Sequence, residues 1–212
     1  MRENLTDLYT LDLSERGIDT VALDYGGVIA DMIDEQGLSA LAAACEVDLQ
    51  LFMNPYWKLR SAYDSGERDF ASYMHLVLES CGSPVADTVD YRKLFILDTT
   101  SYSHLREPMM KWMRQLKAKG ITLIIISNIS VEAAEILIER TPLADLCSHR
   151  VYSGRVGINK PHQGIYRHAR SLLGTGGGSV LFIDDRLENA IASKAAGFQA
   201  AQLMCEGKVN LL

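Results

Sequence analysis

The chain has no closely paired cysteines: Cys45, Cys81, Cys147 and Cys205 stand far apart and no CxxC occurs. That spacing fits neither a dense disulfide framework nor a compact zinc site, so free thiols are expected. Basic residues are outnumbered, 21 against 27 acidic ones, for a formal charge of -6. Such a balance gives no electrostatic reason for a nucleic-acid partner. Long apolar runs are missing as well. The start, MRENLTDLYTLD, lacks a signal-peptide core, and no later segment nears the roughly 18 apolar residues of a membrane span. No membrane partner is therefore expected, the expected setting is cytoplasmic, and the expected partner is a small molecule. Internal repeats and low-complexity tracts are absent.

The chain's 212 residues are 48% hydrophobic, enough to bury a core. Three short apolar runs stand at wide spacing: VAL before Asp24, LIII before Ser127 and VLFI before Asp184. Unalternated runs of this length fit strands buried on both faces of a parallel sheet. Helical patterns separate them. In REPMMKWMRQLKAKG, Met109, Trp112, Met113 and Leu116 share a face and Gly120 sits where a C-cap belongs. VEAAEILIER follows with Ser130 as its cap, PHQGIYRHARSLL places Pro161 in a first helical turn, and RLENAIASKAAG closes at Gly197. GTGGG is expected as a loop and AAQLM as a last edge strand. The fold class is therefore α/β, with a layered parallel sheet. From about Ala30 to His104 the pattern changes to helices without strands: LSALAAAC, YWKLRSAY, FASYMHLVLES and VDYRKLFIL, linked through MNP, DSGERD and CGSPVADT. This predicts a helical module inserted after the first strand, with DSGERD as either a hinge or a plain helix end.

Four clusters fall at strand ends or the helix starts after them, where open α/β sheets place ligands. Asp24 precedes Gly26 and Gly27, whose backbone can approach an anion closely; an aspartate starting a turn would look the same. Ser127 and Asn128 follow LIII, as phosphate contacts or as helix caps. Lys160, in GINKP, is oddly placed near a helix start unless an anion lies between, and is otherwise a solvated surface lysine. Asp184 and Asp185 repel each other unless solvated or neutralised, and Mg²⁺ favours such hard oxygens; an acidic first helical turn is the alternative.

Together the motifs DYGGV, ISN, NKP and FIDDRLEN, in that order from about Thr20 to Met204, resemble the haloacid dehalogenase-like hydrolase superfamily. The resemblance implies a Rossmann-like core over residues 1–30 and 105–212, and a small helical cap of the C1 type over 31–104. It implies Mg²⁺-dependent phosphatase chemistry on a small phosphorylated metabolite. Asp24 becomes the nucleophile, with Ser127 and Lys160 positioning phosphate beside Gly26, Gly27 and Asn128. Asp185 is the principal metal ligand, supported by Asp184, by Asp24 and by the Gly26 carbonyl. Asn128 and Asn189 position loops, and Glu188 is a solvated helix residue. Asp24 is expected to stay ionised at neutral pH because Lys160 and Mg²⁺ lie beside it.

The usual family phosphatase carries a second aspartate, its acid and base, where this chain has Gly26. Losing a positioned proton-transfer group commonly costs roughly a hundredfold to ten-thousandfold, so either another group substitutes or proton transfer is slower, and one escape is a substrate with an easy leaving group, such as an anomeric sugar phosphate or an acyl phosphate. A branch of sugar-phosphate phosphatases shares the glycine. A 2-haloacid dehalogenase and a weakly catalytic, phosphometabolite-binding regulatory protein are the alternatives. In the cap, Tyr56, Trp57, Arg60 and Tyr63 are the candidates for substrate contact, with core packing as the competing role for the aromatics. His162, near Lys160, is a candidate substitute for proton transfer.

Overall fold

The computed structural model describes residues 5–173, 179–205 and 207–212. Its strands are β1 (Thr6–Asp7), β2 (Ile18–Leu23), β3 (Thr122–Ser127), β4 (His149–Tyr152), β5 (Ser179–Asp184), β6 (Gln199–Leu203) and β7 (Lys208–Leu211). They form one sheet in the order β1-β7-β6-β5-β2-β3-β4, parallel from β6 to β4 and antiparallel at β7 and β1. All three apolar runs are strands, as expected. Odd-numbered residues such as Val21, Leu123, Ile125, Leu181 and Ile183 enter one core, and Ala22, Ile124, Ile126, Val180 and Phe182 enter the other. A strand covered on both faces has no solvent side, which is why the runs do not alternate.

Helices α1 (Glu35–Ala44), α2 (Leu49–Asp64), α3 (Phe70–Cys81) and α4 (Tyr91–Thr100) lie between β2 and β3 in the chain and form the cap. Then come α5 (Glu107–Ala118) before β3, α6 (Val131–Ala134) running into a π turn, α7 (Leu143–Leu146), α8 (Ser153–Val156), α9 (Gln163–Leu172) and α10 (Leu187–Lys194). Met109, Trp112, Met113 and Leu116 are the buried face of α5, and Gly120 follows it at φ +80°. Ser130 caps α6 by accepting from Ala133 N–H. The two chain passages between core and cap run side by side. Asp31 N–H donates to the His104 carbonyl, Arg106 N–H donates to that of Ile29, and Asp31 takes both the Arg106 guanidinium and the His104 ring. Among the described residues, no helix is long and apolar enough to cross a membrane.

Three local expectations are corrected. Pro55 lies inside α2 rather than in a link. The N–H it lacks would have bonded the Leu51 carbonyl, and the Cys81 thiol of α3 donates to that oxygen instead. Pro161 precedes α9, which starts at Gln163 under a His162 cap; the Lys160–Pro161 bond is cis. AAQLM is interior, because Lys208–Leu211 and Thr6–Asp7 extend the sheet beyond it. Those added strands are short and half polar, without the apolar run that marked the others. GTGGG lies outside the described residues.

Central strand β2 registers Leu23 against Ile125 of β3 and against Ile183 of β5. From β2 the chain builds outward to β3 and β4, then crosses back to β5 on the opposite side. The carboxyl ends of β2, β3 and β5 therefore meet at the switch of direction, where such sheets hold ligands. Beneath them Phe182 is fully buried edge-on against Tyr166 and Phe198. Replacing it by alanine should cost about 3–5 kcal/mol, measured by denaturant unfolding; a loss under about 1 kcal/mol would mean this layer is not close-packed.

Candidate active site

Asp24 follows β2, where its N–H donates to the Ile183 carbonyl at 3.0 Å, and fully buried Asp184 ends β5. Lys160 reaches between them, with Nζ 2.8 Å from Asp24 Oδ1 and 2.7 Å from Asp184 Oδ2. The lysine is only 4% exposed. Burial by itself would favour its neutral form, but Asp184 and Asp24 outweigh that and the net shift is upward. Burial also drives the Asp24 carboxyl up, from 3.8 to about 7, against the pull of Lys160 and with Asp184 adding to the rise. Lys160 by itself thus does not offset the burial of Asp24, whose expected ionisation also involves Mg²⁺. One ammonium is shared by two buried carboxylates, and it cannot compensate both fully.

Main-chain and amide contacts fix this triad. Asn128 brackets the Lys160 peptide, donating from Nδ2 to its carbonyl at 3.0 Å and accepting from its N–H at 2.7 Å. Its amide therefore positions the lysine. Asn189 donates to both oxygens of Asp184, at 3.0 and 3.1 Å, and the Arg186 N–H adds a third donor at 2.9 Å. Ser127 ends β3 beside the cavity, buried, and its hydroxyl has no hydrogen-bond partner among the described residues.

Asp185 differs from Asp184: its carbonyl is held by Gln202, while its carboxylate lies against Gly27. Gly27 has φ +78°, and a Cβ there would sit 2.4 Å from Asp185 Oδ2. Its N–H donates to the Ala30 carbonyl at 2.8 Å and its carbonyl accepts from Arg106. That glycine was expected to offer its N–H to an anion; its N–H is instead tied into the turn, and the glycine makes room for Asp185. At Gly26 the space of a Cβ is taken by Met32 Sδ, 2.9 Å away.

The oxygens of Asp24, Asp184 and Asp185 lie within 4.8 Å of one another. Three hard oxygen donors, of which only Asp24 and Asp184 share the Lys160 ammonium, suit a divalent cation such as Mg²⁺. Asp185 and Asp24 have the freer oxygens for it, since those of Asp184 are engaged by Lys160, Asn189 and Arg186. Burial raises the Asp185 pKa and neighbouring Asp184 adds to the rise, strain that a divalent cation would relieve.

A cavity of about 410 Å³ opens above these groups and extends to the cap. Of the four cap candidates, Trp57 and Arg60 line it, whereas Tyr56 and Tyr63 are packed into the cap core. Tyr63 stacks on Tyr73 with centroids 5.3 Å apart, and Tyr56 donates to Asp98 at 2.6 Å. Glu188 is exposed at the rim, paired with Arg186. His162 caps α9 outside the cavity wall. The turn after α2 is seated on the core: a Cβ at Gly66 would meet the Gly154 carbonyl at 2.8 Å. Sequence reasoning missed Met32, Asp64, Asp98, Thr99 and Asn159, all of which line the cavity. Only Asp98 left a signal, as an acid closing the apolar run LFIL.

Two outcomes follow from this packing. Gly27→Ala should destabilise the fold by about 1–2 kcal/mol for the left-handed backbone alone and weaken divalent-cation binding by displacing Asp185, read by urea unfolding and calorimetry; unchanged binding would refute the contact. For Asp24, the folded pKa exceeds the ordinary carboxylate value, so folding takes up a proton. Its stabilising effect is complete below about pH 4 and lost as pH rises through about 7. In chelator, Asp24→Asn, whose amide mimics the protonated form, should gain melting temperature over the parent across that interval. A pH-independent difference would show that the carboxyl is not perturbed.

Residues 18–197 match the haloacid dehalogenase-like hydrolase family. A phosphoglycolate phosphatase from Neisseria gonorrhoeae is 29% identical over 189 residues, 85% of this chain and 77% of that protein. A sesquiterpene phosphatase from Aspergillus oryzae is 30% identical over 95 residues, 45% of this chain and 48% of the relative, so that match spans about half of each. A haloacid dehalogenase family enzyme from Bacteroides thetaiotaomicron, solved with magnesium and inorganic phosphate, shares the fold at a TM-score of 0.72 and 15% identity, over 90% of this chain and 96% of the other. The match over most of its length, on this fold, makes the chain a member of the haloacid dehalogenase-like hydrolase family.

Proposed function

We propose that the protein is a Mg²⁺-dependent phosphatase acting on a small phosphorylated metabolite through an aspartyl-phosphate on Asp24. The observation that carries this reading is the convergence of one oxygen each from Asp24, Asp184 and Asp185 within 4.8 Å, with the Lys160 ammonium held between the first two. The phosphatases similar to this chain act on phosphate esters by name, which supports the same class. Asp24, Asp185, Asp184 and the Gly26 carbonyl would hold Mg²⁺, which supplies charge neutralisation at the phosphoryl oxygens.

In the first step an Asp24 oxygen forms a bond to phosphorus while the bond to the leaving oxygen breaks, and the departing alkoxide takes its proton from solvent water. In the second, water attacks the phosphorus, releases inorganic phosphate and restores the Asp24 carboxylate. Lys160 tempers the repulsion between anionic nucleophile and anionic ester, and the unpartnered Ser127 hydroxyl donates to a phosphoryl oxygen. Asn128 and Asn189 hold Lys160 and Asp184 in place. Gly26 has no proton to give, so the protein favours esters whose leaving group departs readily, with anomeric sugar phosphates the leading class. Helices α1 to α4 act as a C1-type cap over residues 31–104. The four free thiols fit a reducing, cytoplasmic setting.

A 2-haloacid dehalogenase would also use an aspartate nucleophile, but halide departure creates no phosphoryl charge for a cation held by three carboxylates to neutralise. The test is phosphate release from a metabolite panel. Turnover should require Mg²⁺, fall by roughly a thousandfold or more in Asp24→Asn, and favour sugar 1-phosphates over 6-phosphates by about tenfold or more. Metal-independent halide release from a 2-haloacid, with no phosphate release, would replace this assignment.

A further inference from the structure

The cavity has two walls of different chemistry. One is the carboxylate and lysine centre; the other, from the cap, is formed by Arg60, Ser61, Asp64, Asp98, Thr99 and Tyr102. Arg60 donates from Nε to Asp64 Oδ1 at 3.1 Å and from Nη1 to Asp98 at 2.9 and 3.1 Å. Its guanidinium carbon also lies 5.1–5.8 Å from the ring centres of Tyr56, Tyr63, Tyr73 and Tyr102. Two carboxylates therefore already exceed its single charge. The other cations lining the cavity are matched too, Lys160 by Asp24 and Asp184 and Arg186 by Glu188.

An incoming carboxylate would find no uncommitted cation on the cap wall and would face Asp64 and Asp98. The wall therefore discriminates by charge against anionic leaving groups. Neutral polar groups remain. Thr99 is 1% exposed, and its hydroxyl oxygen has no hydrogen-bond partner among the described residues; neither has Asn159 Oδ1. Buried polar atoms normally find partners, and those left open on a cavity wall are sites for a ligand's groups. A hydroxyl both donates and accepts, which matches the Thr99 hydroxyl, the Asn159 carbonyl oxygen and the Ser61 and Tyr102 hydroxyls together.

We infer that the cap wall selects a polyhydroxylated, non-anionic leaving group and rejects a carboxylated one. The inference rests on the phosphatase reading and narrows it, and it separates this chain's substrate from a carboxylated ester such as phosphoglycolate.

The test compares kcat/KM, with Mg²⁺, for three esters sharing one anomeric leaving group: glucose 1-phosphate, glucuronic acid 1-phosphate and glucosamine 1-phosphate. p-Nitrophenyl phosphate serves as a reference that needs no cap contact. Glucose 1-phosphate should exceed glucuronic acid 1-phosphate by about tenfold or more, and glucosamine 1-phosphate should not show that loss. Asp64→Asn should narrow the gap to the uronate several-fold by removing one negative charge. Thr99→Val, nearly isosteric, should raise KM for glucose 1-phosphate more than for the nitrophenyl ester, which keeps the test open if the Asp64 variant misfolds. Equal turnover of the uronate, with the nitrophenyl ester hydrolysed, would overturn the cap inference while the phosphatase reading stands. Failure to hydrolyse every ester, the nitrophenyl one included, would overturn both.

Discussion

An ammonium taken out of water is costly, and so is each carboxylate; the site depends on how these costs are made to offset one another. Lys160 Nζ lies 2.8 Å from Asp24 and 2.7 Å from Asp184, with almost no solvent at any of the three. Either aspartate without the lysine would be an uncompensated buried charge, and the lysine without them would lose its proton. The loop ahead of α9 is thereby pinned to the ends of β2 and β5. Asn128 extends the constraint to β3 through the Lys160 peptide, and Asn189 extends it to α10 through Asp184. The arrangement remains one positive charge short. Burial, with Asp184 adding to it, drives the Asp24 carboxyl up to about 7 against the pull of Lys160, and the uncompensated negative charge makes the centre receptive to a divalent cation.

Much of this centre was legible because the sheet forces it to be. A strand buried on both faces needs an unbroken apolar run, and the first polar residue after the run marks the strand's end, as at Asp24, Ser127 and Asp184. The cap resisted for the opposite reason. Its helices were visible by period, but Arg60 meets Asp98 across 38 residues of sequence, a pairing that no local pattern encodes. Tyr56 and Trp57 are neighbours in sequence, yet one is sealed in the cap core and the other is 41% exposed beside the cavity. Pro161 read as a helix start because its ring suits one; the helix waits two residues for a His162 cap. Gly27 read as an anion cradle, and its φ of +78° together with the position of Asp185 explains why that residue has no side chain.

The two walls of the cavity use charge in opposite ways. On the core side cation and anions are unequal by design of the strand ends, leaving negative charge for a metal to balance. On the cap side Arg60 is enclosed by tyrosine rings and held by two carboxylates, so a charged side chain becomes part of the scaffold rather than a hook for substrate. Burial raises the Asp64 pKa to about 6 against the pull of Arg60, which shows how tightly that network is shielded from water.

The paired passages between core and cap have a topological consequence. Ile29 to Asp31 and His104 to Arg106 bond to each other directly, through backbone and through the Asp31 carboxylate. To the rest of the sheet the whole helical insertion is therefore equivalent to a hairpin: its ends are closed whatever lies between them. Because closing a loop depends only logarithmically on its length, the cap's size adds little entropic burden to the pairing of β2 with β3. The junction thus insulates the sheet from the module it carries, and helices could be gained, lost or exchanged beyond it without the strands having to find one another anew.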